Sequence, residues 1–144
     1  MVSEIKLQKI NKIGLLILNE DSTKFLVAQK SPDNITDKYI MPGGRFEEDA
    51  PKECLKNEIK EELNCKVDFE SLKYVDEYTD EAAGRVNTVV AIKLYQGKII
   101  GKLTPTTEIK FLHWIGKSDI NNKKVSAIIR NKIIPDLISK KILK

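Results

Sequence analysis

The sequence predicts a mixed α/β fold in which a central mixed sheet lies between helices, and three observations predict it. Runs near the N-terminus are apolar on both strand faces; one later segment repeats apolar residues every four positions without a glycine; and the elements follow the order strand, strand, helix, strands, helix. Strands buried on both faces need cover above and below. The order does not alternate as a doubly wound parallel sheet would, which leaves a mixed sheet.

The elements follow in order. Lys9 to Asn19 contains Ile-Gly-Leu-Leu-Ile-Leu and Lys24 to Gln29 contains Phe25, Leu26, Val27 and Ala28, so the two read as strands joined by a hairpin through Asn19-Glu20-Asp21-Ser22. Ser31 to Lys38 is polar, holds Pro32 and reads as a loop, and Pro42-Gly43-Gly44 is a sharp turn. From Pro51 to Asn64, Leu55, Ile59 and Leu63 define an amphipathic helix with proline near its start. Val67 to Tyr78 and Val86 to Tyr95 read as strands separated by a turn over Thr79 to Arg85, with a short strand at Gly97 to Ile100 and another at Ile109 to Ile115. Ser118 or Asp119 is the expected cap of a final helix through Val125, Ile128 and Ile129, which Pro135 breaks or kinks.

At 144 residues the chain fits a single domain, 1–144. Such a domain buries roughly 68–70% of its unfolded surface and needs no disulfide or structural metal. Lys and Arg total 25 against 21 Asp and Glu, for a net charge of +4. Only Arg45, Arg85 and Arg130 are arginines. Bidentate phosphate or base recognition favours arginine, so a diffuse lysine surface argues against a nucleic-acid partner. Cys54, Cys65 and His113 cannot supply a zinc site of the usual ligand types. No apolar run is long enough to span a membrane and no signal-peptide core is visible, which makes the expected location cytoplasmic with no membrane partner.

The chemistry concentrates on the first helix. With Glu58 as zero, Glu62 lies at roughly 40° and Glu61 at roughly −60°, while Leu55, Ile59 and Leu63 lie at roughly 60° to 140°. Three carboxylates therefore share one face and border the apolar stripe, while Lys56 and Lys60 point away from it. Taken alone, Glu-x-x-Glu-Glu also describes a solvated face. The preceding glycine turn shifts the reading, because glycines let backbone approach a metal or phosphate closely. Repelling carboxylates become favourable around a hard divalent cation, Mg²⁺ above all. Arg45, just after the glycines, is placed to meet a phosphate, with Lys30 and Lys38 as weaker candidates. Trp114 and Tyr39 are expected to pack, and His113 to be a satisfied surface residue.

The segment Gly43 to Cys65 resembles the Nudix hydrolase family, whose box reads glycine, five residues, glutamate, seven residues, then Arg-Glu-apolar-x-Glu-Glu-x-Gly-apolar. Here its end stands as Asn57-Glu58-Ile59-Lys60-Glu61-Glu62-Leu63-Asn64-Cys65, and the strand plan extends the likeness over nearly the whole chain. Asp49 replaces the glutamate, Asn57 the arginine and Asn64 the glycine, and the loop from Gly44 to Asp49 is one residue shorter than usual when Pro-Gly-Gly is aligned.

The resemblance implies an α/β/α sandwich and hydrolysis of a nucleoside diphosphate linked to another group. The expected case is a nucleoside triphosphate, oxidised or not, cleaved to monophosphate and pyrophosphate. It implies Mg²⁺, with Mn²⁺ able to substitute, held by Glu58, Glu61, Glu62, the Gly43 carbonyl and Glu108. Glu58 is the expected general base, with Glu61 or Glu108 as alternatives; Gly44 and Arg45 would meet the substrate, and Asp49 would serve the loop or the helix start. The family arginine would orient a catalytic glutamate through a charged hydrogen bond, where Asn57 offers only a neutral one. A catalytically weak or inactive domain that binds a nucleotide or a protein as a regulator is the alternative. A plain α/β domain with a decorative acidic helix is the third. The oligomeric state stays open, a homodimer included.

Overall fold

The computed structural model describes residues 7–30, 38–46, 51–82, 85–104 and 109–144. Strand β1 (Gln8–Leu16) runs parallel to β7 (Thr88–Gln96) and antiparallel to β4 (Gly43–Arg45), and β6 (Lys73–Glu81) lies antiparallel on the far side of β7. The sheet order β4-β1-β7-β6 is thus mixed, as expected. A second, antiparallel sheet has the order β3-β2-β9, from Tyr39–Ile40, Lys24–Lys30 and Ile109–Gly116. A two-stranded ladder joins β5 (Lys66–Val67) to β8 (Ile99–Ile100).

The expected hairpin survives only at its tip. Asn19 N donates to the Lys24 carbonyl at 2.9 Å and Leu26 N to the Ile17 carbonyl at 3.0 Å. Beyond that the strands part into different sheets, β1 to pair with β7 and β2 with β9, because each is apolar on both faces and finds a longer partner there. The strand expected over Val67 to Tyr78 is also two pieces. Asp68 interrupts it by capping the 3₁₀ turn Phe69–Ser71, its carboxylate accepting from Glu70 N at 3.2 Å. Conversely, Thr79 to Glu81, expected as turn, continue β6, held by the β-branched run of β7 opposite.

Helix α1 (Pro51–Leu63) covers one face of the sheets and the C-terminal helical stretch the other. Alternation along the strands divides the residues between them. Ile13, Leu15, Ile17 and Leu26 face Leu55, Ile59 and Leu63 of α1, whereas Leu16, Phe25 and Val27 face Ile129, Ile133 and Leu137. The sandwich predicted from the sequence is present.

The C-terminal stretch, 127–139, stays helical through a π-helical turn (Ile129–Ile133) into α2 (Ile134–Ser139). Ile134 N reaches back to the Ile129 carbonyl, and this wider turn sits directly before Pro135, whose nitrogen has no hydrogen to donate. Proline therefore widens the helix and does not end it. Asp119 accepts from Gly116 N at 2.9 Å and closes the 3₁₀ turn Lys117–Asn121, so it caps that turn and not the final helix. Among the described residues no helix is long and apolar enough to cross a membrane.

Candidate functional site

The glycine turn and α1 meet edge to face. Gly43 has φ +142°, and a Cβ there would lie 2.0 Å from the Ile13 carbonyl oxygen, so only glycine fits so close to β1. A Cβ on Gly44 would lie 2.3 Å from Glu58 Cδ, so the second glycine is what lets the Glu58 side chain lie against the strand. One turn further along α1, Glu62 Oε1 accepts from Gly43 N at 2.8 Å. The helix ends on Asn64, which takes φ +54° where the resembled box has glycine. Asparagine tolerates that left-handed conformation, and its Oδ1 accepts from Lys60 Nζ at 3.0 Å, so this departure leaves the helix end intact.

The three glutamates differ in burial in the order of their helical angles. Glu62, nearest the apolar stripe, is 1% exposed; Glu58 is half-buried; Glu61, farthest away, is exposed. Burial pushes the Glu62 carboxyl up to about 7, with Glu58 acting the same way, while the Gly43 N–H, Lys30 and Lys12 pull it back. Lys56 and Lys60 are exposed, as expected. Asn57 is exposed on α1 beside Glu58. Glu108 and Asp49 lie outside the described residues.

Beside this junction opens a cavity of about 420 Å³. Glu58, Gly44 and Arg45 line it together with Lys12, Lys30 and Arg85. Lys12 and Arg45 are directly opposite each other in the β1–β4 register. Like charges so placed repel, and an anion between them relieves the repulsion. Burial, with Lys30, Arg45 and Arg85 nearby, holds the Lys12 ammonium below its ordinary range, Glu62 partly opposing this. Lys38 is drawn elsewhere, its Nζ donating to the Lys123 carbonyl at 2.6 Å.

Sequence reasoning missed Lys12 and Arg85. Lys12 sits in an apolar strand, and the signal available was a lone lysine two residues from Ile10 and Gly14 on one strand face. Trp114, expected to pack, is 41% exposed because β9 is an edge strand of its sheet and no strand covers it among the described residues. His113 is half-buried, stacked on Tyr39 at 4.1 Å and paired with Gln29 at 3.3 Å, so both it and Tyr39 play structural parts.

Among the described residues, no three acidic, histidine or cysteine side chains close on one metal-sized point. The donor set nevertheless suits Mg²⁺. That ion is usually held by one or two carboxylates plus substrate phosphates, not by a complete protein cage. Glu58 and Glu62, one helical turn apart and repelling each other, with a cation-lined cavity adjoining, suit that combination.

The family model described as NUDIX domain matches residues 9–137. No curated protein matches the chain in sequence. Among solved structures, the MutT protein from Methanosarcina mazei Go1 is 20% identical with TM-score 0.76, over 96% of this chain and 99% of that one. The E. coli ORF135 protein is 16% identical with TM-score 0.70, over 94% and 92%. A bifunctional NMN adenylyltransferase/ADP ribose pyrophosphatase from Francisella tularensis is 19% identical with TM-score 0.62, over 96% of this chain and 42% of that one. These three likenesses show the shared fold.

Proposed function

The chain belongs to the Nudix hydrolase family, and from that premise we propose that it hydrolyses a nucleoside triphosphate, oxidised or not, to monophosphate and pyrophosphate in a Mg²⁺-dependent reaction. Members of the family act on nucleoside diphosphate derivatives, cleaving a phosphoanhydride bond. The observation that carries the finer reading is the junction of the glycine turn with α1. It sets the Glu58 and Glu62 carboxylates beside a cavity whose wall carries Lys12, Lys30 and Arg45.

Glu58, Glu62 and the Gly43 carbonyl would hold the ion, with Glu61 at the exposed rim and Glu108 as a further ligand. When bound, Mg²⁺ supplies charge neutralisation on the phosphates, polarises phosphoryl oxygens and makes bound water more acidic. The chain's own residues do the rest. Lys12, Lys30 and Arg45 bind and orient the phosphates; the Gly43 N–H fixes one oxygen of Glu62; and Glu58, on the cavity wall, takes the proton from the attacking water, with Glu61 or Glu108 as the alternative base. Gly44 keeps the space that Glu58 needs.

We read residues 1–144 as one such domain working on small nucleotides in the cytoplasm, without nucleic acid or membrane. The two free thiols, Cys54 and Cys65, suit a reducing compartment. Pyrophosphate release from a panel of nucleoside triphosphates, with Mg²⁺, with Mn²⁺ and with chelator, tests the activity. Metal-dependent turnover of one of them supports it, and no turnover on any of them overturns it. Asn57, where the family has arginine, favours a second reading, a slow or silent domain that regulates through nucleotide or protein binding. Tight nucleotide binding without turnover would select that reading.

A further inference from the structure

A second cavity, of about 350 Å³, opens beside the first and shares Glu81, Ala82 and Arg85 with it. Arg130 and Lys38 complete its charged wall. The chain carries 25 cationic side chains of which only three are arginines, yet all three line one or other of these cavities. A chain that meets solvent with lysine thus places its planar, five-donor side chains only here.

Arg85 and Arg130 come from distant segments and are held there. Arg130, half-buried on the C-terminal helical stretch, donates its Nε–H to the Val125 carbonyl at 2.9 Å, which fixes the guanidinium and leaves both Nη groups without a partner among the described residues. Arg85 stands on the turn between β6 and β7, its backbone N–H bonded to the Ala82 carbonyl at 3.3 Å. Among the described residues neither guanidinium forms an ion pair, even with Glu81 on the same wall, whereas Lys140 elsewhere pairs with two aspartates. Their charge is therefore not spent within the fold. Lys38 Nζ is occupied by the Lys123 carbonyl, so an incoming ligand would meet the two arginines first.

We propose that this second cavity is an anion site of its own, in which Arg85 and Arg130 grip one phosphate or pyrophosphate group. Forked guanidiniums match the oxygens of such groups, and two of them relieve their mutual repulsion by sharing its charge. Glu81 weakens the attraction without cancelling two arginines. Ala82 and Ala127 leave room but offer no polar side-chain group, which suits a compact anion better than a sugar or an amide. Two sources offer that chemistry: a free anion, or a second phosphate on a nucleotide lying in the first cavity, which shares Arg85.

The test reads the arginines directly. Three arginines give three Nε–H signals in a ¹⁵N-correlated NMR spectrum, and Arg45→Lys, Arg85→Lys and Arg130→Lys each remove one, which assigns the set. Inorganic pyrophosphate added without metal should move the Arg85 and Arg130 signals along one binding curve, and Arg130→Gln should weaken that binding, read at Arg85, about tenfold. Where Arg130→Gln does not fold, Arg85→Gln on the exposed turn gives the same comparison, read at Arg130. An Arg130 signal that stays still up to about 10 mM pyrophosphate overturns the site, as does binding that the substitution leaves unchanged. Adenosine 3′,5′-bisphosphate and adenosine 5′-monophosphate separate the sources. Movement of Arg130 by the bisphosphate alone assigns the anion to the nucleotide; movement by neither, while pyrophosphate still acts, assigns it to a free ion; and either result supports the site. Movement by the monophosphate as large as by pyrophosphate would make Arg130 part of the first cavity and overturn the separation. No arm needs turnover, so the hydrolysis proposed above can fail while this site stands, and the reverse.

Discussion

On the C-terminal side of the sheet, Ile129, Ile133, Ile134 and Leu137 close over Phe25, Val27 and Leu94 with apolar contacts throughout. On the other side, α1 contributes Leu55, Ile59 and Leu63, but also a carboxylate, Glu62, buried as deeply as its leucines. Stability alone does not select a buried glutamate whose charged form is disfavoured by its surroundings. The core under Ile129, Ile133 and Leu137 is organised for packing; the α1 junction accepts a cost that ligand chemistry would explain. If that contrast is right, changes in that core should act on folding, and changes at the α1 junction on turnover.

The largest effect belongs to the packing face. Ile133→Ala removes a fully buried side chain and should cost about 3–4 kcal/mol in urea denaturation, with kcat within about twofold of wild type where the variant remains folded. A loss of kcat without loss of stability would break the division. The two glycines sharpen it. Gly43→Ala would set a Cβ against the Ile13 main chain at a positive φ and should destabilise by about 3 kcal/mol. Gly44→Ala collides instead with the Glu58 side chain, which can move, so it should fold and lose about tenfold in kcat.

On the α1 face, Glu62→Gln keeps an acceptor for Gly43 N and removes the buried charge. Turnover should fall at least ~10²-fold with Mg²⁺ while the melting temperature is held or raised. Glu58→Gln should lose turnover comparably. Wild-type rates in both variants would remove the assignment of this junction as the reaction centre.

How much of this was legible in the sequence depends on whether a residue's partners are local. The period of Leu55, Ile59 and Leu63 gave α1, and the angular arithmetic set the three glutamates on one face bordering the apolar stripe, because a helix carries its geometry within itself; their burial order follows those angles but was not read from them in advance. The parting of β1 from β2, the exposure of Trp114 and the meeting of Arg85 with Arg130 depend on segments far apart in the chain. No local spacing encodes those. Lys12 shows the middle case. Its place on a strand face was readable, but the cation-lined cavity there forms only once Arg45 and Lys30 are brought to it from other strands.

The smallest effect probes the rim of the packing face, where polar groups serve stability alone. Tyr78 Oη donates to Asp136 at 2.6 Å, and Lys140 bridges Asp136 and Asp76, the latter at 2.7 Å. Hydrogen bonds from Lys140 and then Tyr78 hold the Asp136 carboxyl below its ordinary value of 3.8. A depressed carboxylate stabilises the fold above its unfolded pKa and stops doing so as pH falls through its folded one. Lys140, raised above 10.5 by the same two carboxylates, contributes below that value and loses its contribution only above it. The cluster should therefore act fully between about pH 5 and pH 10. Because these side chains are about one third to one half exposed, solvent screens most of the attraction, and Asp136→Asn should lower the melting temperature by only about 2 °C at pH 7. The difference should shrink as pH falls below 3.8 and vanish only once pH has passed through the depressed folded-state pKa, where both proteins are neutral at this position. A difference that persists in acid would mean that Asp136 acts through packing and not through its charge.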